Sequence, residues 1–76
     1  MDDLLEQFIM QEGTAYVRRL LEDAIADSAA QHPHFEFNRF EITIERQLNI
    51  VVLEDVLDAT SAGVRRVPLA EFMAAL

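Results

Sequence analysis

The apolar residues of this chain change period once, and that change decides the class of fold. Up to Ile25 they fall in adjacent pairs spaced by about four positions: Leu4 and Leu5, Phe8 and Ile9, Tyr16 and Val17, Leu20 and Leu21, Ala24 and Ile25. Pairs at that spacing make one broad stripe along an α-helix. From Phe40 the spacing is two. Phe40, Ile42 and Ile44 alternate with Glu41, Thr43 and Glu45, as in a half-buried strand. Helical segments that pack on a small antiparallel sheet make an α+β fold.

The boundaries follow from local signals. Residues 3–31 read as helix, with Glu6, Gln7, Arg18, Arg19, Glu22, Asp23 and Asp27 on the opposite face. The stripe lapses at Glu12-Gly13-Thr14. Glycine inside a helix costs about 1 kcal/mol relative to alanine, and Thr14 can cap a second helix beginning at Ala15. A break near Gly13 is therefore favoured over a kink. Pro33 keeps the residue before it out of helical geometry, so helix ends by Gln31-His32. Phe35 and Phe37 alternate in the opposite phase to Phe40, which a bulge or bend near Asn38-Arg39 would reconcile. Gln47-Leu48-Asn49 suits a turn. Ile50-Val51-Val52-Leu53 is apolar on both faces, as in a central strand. The strand is expected to continue to Leu57, although Leu53, Val56 and Leu57 also fit helical spacing. Ala59 to Gly63 reads as a loop in which Gly63 supplies an unusual backbone angle. Val64 to Val67 is a candidate third strand. Pro68 suits the first turn of a helix that carries Leu69, Phe72, Met73 and Leu76 on one face. The expectation is one domain over residues 1–76. It comprises an amphipathic N-terminal helical segment, an antiparallel meander of two or three strands, and a short C-terminal helix.

A chain of 76 residues has a small core, and one core of this size rarely supplies more than about 3–5 kcal/mol. With no cysteine, disulfides and the usual thiolate zinc site are excluded. Self-association remains as a stabilising device, and Phe35, Phe37 and Leu48 add apolar surface to the helix stripe. A homodimer is expected. Met1-Asp2-Asp3 is not the basic start of a signal peptide. No apolar run approaches the roughly 20 residues that span a bilayer, so a cytoplasmic location is expected. All six basic residues are arginine, a bias that points to GC-rich coding, bacterial or phage.

Catalytic and cofactor chemistry find little support. His32-Pro33-His34, with Asp27 nearby in sequence, suggests a metal. A third convergent ligand is not evident, and a solvated connector is favoured; no metal or cofactor is expected. Glu54, Asp55 and Asp58 cluster in sequence, but Glu54 and Asp55 would point to opposite faces of a strand. Ser28 and Ser61 lack a nucleophile-elbow context, and two distant glycines cannot make a phosphate loop. So small a fold leaves little room for a pocket of about 300 Å³. Arg18-Arg19 and Arg65-Arg66 are expected to pair with neighbouring carboxylates. No enzyme is expected.

Charge is the most informative property. The formal net charge is −8, opposite to what nucleic-acid binders and partners of anionic membranes need. A negative field steers toward basic surfaces. The chain is expected to be a non-enzymatic acidic protein-binding module, with Glu41, Glu45, Glu54, Asp55 and Asp58 as partner-binding residues. Glu41, Thr43 and Glu45 project together every second residue, a repeat of about 6–7 Å that is of the order of phosphate spacing. The sharper version is an inhibitor that masks a basic nucleic-acid-binding surface. It is similar to anti-CRISPR inhibitors of phages and mobile elements in size and charge only, with no motif behind the likeness. The alternative is a scaffolding subunit that homo-oligomerises through its helix stripe.

Overall fold

The computed structural model describes residues 3–27, 33–58, 60 and 63–76. Two helices, α1 (Asp3–Glu12) and α2 (Ala15–Ala26), precede the strands β1 (His34–Glu36), β2 (Phe40–Glu45), β3 (Ile50–Asp55) and β4 (Val64–Pro68). A 3₁₀ turn at Arg46–Leu48 joins β2 to β3, and helix α3 (Leu69–Ala75) follows β4. The strands form one antiparallel sheet in the order β1-β2-β3-β4. The fold is α+β, with four strands where two or three were expected.

The additional strand is β1. His34, Phe35 and Glu36 pair with Thr43, Ile42 and Glu41. The Phe37 N–H donates to the Phe40 carbonyl at 2.7 Å, closing a hairpin turn. The phase change between Phe37 and Phe40 is thus a chain reversal through a bend at Asn38-Arg39, the second of the two devices expected there.

The break between the first two helices falls where the sequence places it. Thr14 has extended geometry and its Oγ1 accepts from the Val17 N–H at 3.2 Å, an N-cap that satisfies one of the orphan amides of α2. At Gly13 a Cβ would overlap the Ile9 carbonyl oxygen, so the glycine serves close backbone approach. Helix α2 ends at Ala26, earlier than Gln31. Residues 28–32, with the expected helix end and His32, lie outside the described residues. The Arg46 guanidinium donates to the Ala24 and Ile25 carbonyls, placing a cation at the negative end of the α2 dipole.

Three other expectations need correction. Strand β3 stops at Asp55, short of Leu57, because the Asp55 carboxylate accepts the Leu57 N–H at 3.0 Å and draws the chain into a turn. Pro68 ends β4, an edge strand, and caps α3, which starts at Leu69; an edge is where a residue without an N–H is tolerated. Gly63 has no positive φ; Asn49 does, at 53°. What Gly63 supplies is space, since a Cβ there would overlap the Asp58 carbonyl oxygen.

The sheet buries one face. Phe40, Ile42 and Ile44 of β2, Val51 and Leu53 of β3, and Val67 of β4 meet Leu4, Leu5 and Phe8 of α1, Val17 and Leu21 of α2, and Phe72 of α3. Ile25, Phe35 and Phe37 pack partly against this core, so the two half-buried phenylalanines offer less apolar surface for dimerisation than expected. Leu20 is half-buried and Tyr16 is 75% exposed, so the α2 stripe is wider than the face it covers. Ile42→Ala is expected to cost about 2–5 kcal/mol, the range for truncating a buried aliphatic. Thr43→Ala, on the other face, is expected to stay within about 1 kcal/mol. Urea denaturation of the two variants checks this, and equal small losses would contradict the register.

Candidate functional site

Helices α1, α2 and α3 all contribute to the core on one side of the sheet, and among the described residues no helix packs on the other side. The register arranges it in rows. Glu36, Glu41, Glu54 and Val64 lie opposite one another across the four strands. The next row is His34, Thr43, Val52 and Arg66. The third is Glu45, Ile50 and Pro68. None of these residues is buried.

The acidic line runs across the strands and not along one. Glu41 and Glu45 share the open face as expected, but Thr43 stands between them, so two strand repeats, about 13 Å, separate them. The expected ladder of carboxylates every 6–7 Å along β2 is absent. Glu36, Glu41 and Glu54 instead sit at neighbouring positions on three strands, about 4.5–5.5 Å apart at Cα. This crowding shows in the chemistry of the middle carboxyl. Glu41 is held above the ordinary carboxylate range, chiefly by a hydrogen bond with the Glu36 carboxyl, then by burial and by the charges of Glu36 and Glu54, with His34 acting the other way. His34 Nδ1 and Thr43 Oγ1 share a hydrogen bond of 2.7 Å, and His34 Nε2 lies 4.0 Å from a Glu41 oxygen.

Two other sequence candidates have structural work elsewhere. Asp55 points inward, is only 4% exposed, and accepts from Arg39 Nε and Nη2 at 3.0 and 2.7 Å. Those hydrogen bonds hold it below the usual aspartate range, helped by the Leu57 N–H and opposed by burial. It is not available to a partner. Asp58 lies in the turn after β3, where it accepts from the Thr60 hydroxyl and N–H at 2.6 and 2.9 Å. Those bonds lower its pKa. Of the five expected partner-binding residues, Glu41, Glu45 and Glu54 share the open face, while Asp55 and Asp58 shape the end of β3.

Arg39 donates to Asp55, and Arg46 donates to the last carbonyls of α2. Glu36 escaped the sequence analysis because its position depends on the unrecognised hairpin. The available signal was its spacing of two from His34.

Two shallow grooves of about 350 and 410 Å³ are larger than expected for so small a fold. Leu5, Glu6, Ile9, Met10 and Ala75 line one, and Asn49, Pro68, Leu69, Ala70 and Met73 the other. Both are mostly apolar and bring no nucleophile and base together. No helix among the described residues is long and apolar enough to cross a membrane. No protein-family model matches the chain, and comparison with curated proteins and with solved structures finds no match.

Proposed function

We propose that this chain is a non-enzymatic protein-binding module whose open sheet face docks on a basic surface of a partner protein. One observation carries this reading: Glu36, Glu41 and Glu54 stand side by side on a face that no helix of the described residues covers. Like charges held together are costly in the free protein, and a cationic partner relieves that cost. The fixed backbone of the sheet also spares the partner the entropy of ordering them. A surface of this sign repels nucleic acid and competes with it for a basic groove, the action of an inhibitor by masking.

Capture from a lysate at low and high salt supplies the partner, and the decisive measurement is then made on the purified pair. Glu41→Arg with Glu54→Arg is expected to slow association and weaken binding several-fold or more, with the fold intact. Labelled DNA is expected to compete with the wild-type chain for the partner. An unchanged affinity in the double variant, or direct DNA binding by the wild type, rejects the proposal. Exposed Met10 and Tyr16, at 84% and 75%, favour a second reading, a scaffold that self-associates through its helices. Sedimentation of the isolated chain separates the two, since a scaffold is an oligomer without any partner.

A further inference from the structure

We propose that His34, Glu36 and Glu41 form a binding site for a divalent transition-metal cation of the zinc type on the β1–β2 hairpin. The imidazole and the two carboxylates each offer one ligand atom, and these atoms lie within 4.8 Å of one another. A tetrahedral zinc with bonds of about 2.0–2.2 Å sets its ligands roughly 3.4 Å apart, so closure asks for an approach of at most about 1.4 Å. His34 and Glu36 are exposed and Glu41 is half-buried, which leaves their side chains room to make it.

The backbone does the rest. His34 and Glu36 are two apart on one strand, so they share a face. Glu41 is the register partner of Glu36. A hairpin therefore presents three ligands without any long loop to order.

Thr43 supplies the independent orienting contact. It is the register partner of His34 and holds Nδ1 at 2.7 Å. In the tautomer whose Nδ1–H donates to the Thr43 hydroxyl, the lone pair falls on Nε2, which lies 4.0 Å from a Glu41 oxygen. An outer hydrogen bond that fixes the tautomer and orientation of a histidine is characteristic of metal ligands. One imidazole with two carboxylates favours zinc-like ions over magnesium, which takes oxygen ligands and keeps its waters. A tetrahedral ion on three protein ligands leaves one position for water. The site differs from the pairing the sequence suggested: His34 takes part, but its partners come from the hairpin, and Asp27 is not among them.

Isothermal titration of the full chain with zinc chloride tests this, with magnesium chloride in a parallel arm and no partner protein present. One zinc per chain is expected, with no saturable magnesium binding at the same concentrations. His34→Ala and Glu36→Gln are expected to weaken zinc binding by more than tenfold. Thr43→Ala, which keeps all three ligands, is expected to weaken it by about tenfold, the lower end of the range for outer-shell partners. His32→Ala is expected to leave it unchanged. Circular dichroism melts confirm that each variant is folded. Absence of zinc binding, magnesium binding of equal strength, equal affinity in His34→Ala, or an equal loss in His32→Ala would each overturn the proposal. None of these outcomes depends on whether the acidic face docks on a protein.

Discussion

Phe8→Ala is expected to destabilise the fold by about 3–5 kcal/mol, the range for removing a buried aromatic ring. A single core of this size supplies about as much in total, so a large fraction of the variant should be unfolded at 25 °C. Phe8 has no solvent exposure. Its ring centroid lies 5.6 Å from that of Phe37, 5.6 Å from that of Phe40 in an edge-on arrangement, and 6.2 Å from that of Phe72. One side chain of α1 thus joins the hairpin turn, a central strand and α3. Alanine would leave a cavity that none of these elements can close without moving. Phe8→Leu keeps most of the volume and should remain folded at a smaller loss. Urea denaturation followed by far-ultraviolet circular dichroism measures both, and a loss under about 1 kcal/mol for Phe8→Ala would remove Phe8 from the centre of the core.

Arg39→Met is expected to be the second most damaging change. It leaves the Asp55 carboxylate buried without its cation, and an unpaired buried charge is far worse than a missing pair. It also cuts the link from Arg39 Nη2 to Gln7 Oε1 at 3.3 Å, which ties α1 to this corner. Restoring neutrality with Asp55→Asn in the same chain should recover part of the loss. The pair also sets an acid dependence. Asp55 holds its proton less tightly in the folded chain than in the unfolded one. Its contribution is therefore fully present above the ordinary aspartate pKa, about 3.9, and is lost as pH falls through the lower folded value. Glu41 runs the other way. Its raised value makes its ionised form a burden that eases as pH falls. Thermal midpoints between pH 2 and 7 should show a smaller acid-induced drop in Asp55→Asn than in the wild type. Coincident profiles would mean that the pair contributes nothing to acid stability.

Periodicity and capping were enough to read the helices, the break at Gly13, the Thr14 cap and the inward face of β2, because each depends on residues within a turn or two of one another. Strand β1 was not separated from β2 because the change of phase between Phe37 and Phe40 fits an irregularity within one strand as well as a turn between two. What defines the strand is its partner, through the register of Glu36 with Glu41. The acidic face was legible only residue by residue. Alternation put Glu41 and Glu45 outward and Glu54 opposite in sense to Asp55, as found. That Glu36, Glu41 and Glu54 form one row is a property of pairing between strands and has no signature along the chain. Arg39 and Asp55 are sixteen positions apart, and no spacing rule joins them. A carboxylate that ends an inward-facing strand position looks the same in sequence whether it meets water or a guanidinium.

Each strand pairs with the next in the chain, across connections of three to eight residues, whereas the ring contact between Phe8 and Phe72 joins the two ends of the fold. The entropy lost in closing a loop grows with the logarithm of its length, and bringing residues 8 and 72 together costs about 2 kcal/mol more than closing a short hairpin. The meander should therefore assemble first and the aromatic clasp between α1 and α3 last. In stopped-flow kinetics, the loss in Ile42→Ala is expected as slower folding and that in Phe8→Leu as faster unfolding. The lifetime of the native state would then rest on how long two phenylalanines at opposite ends of the chain stay in contact.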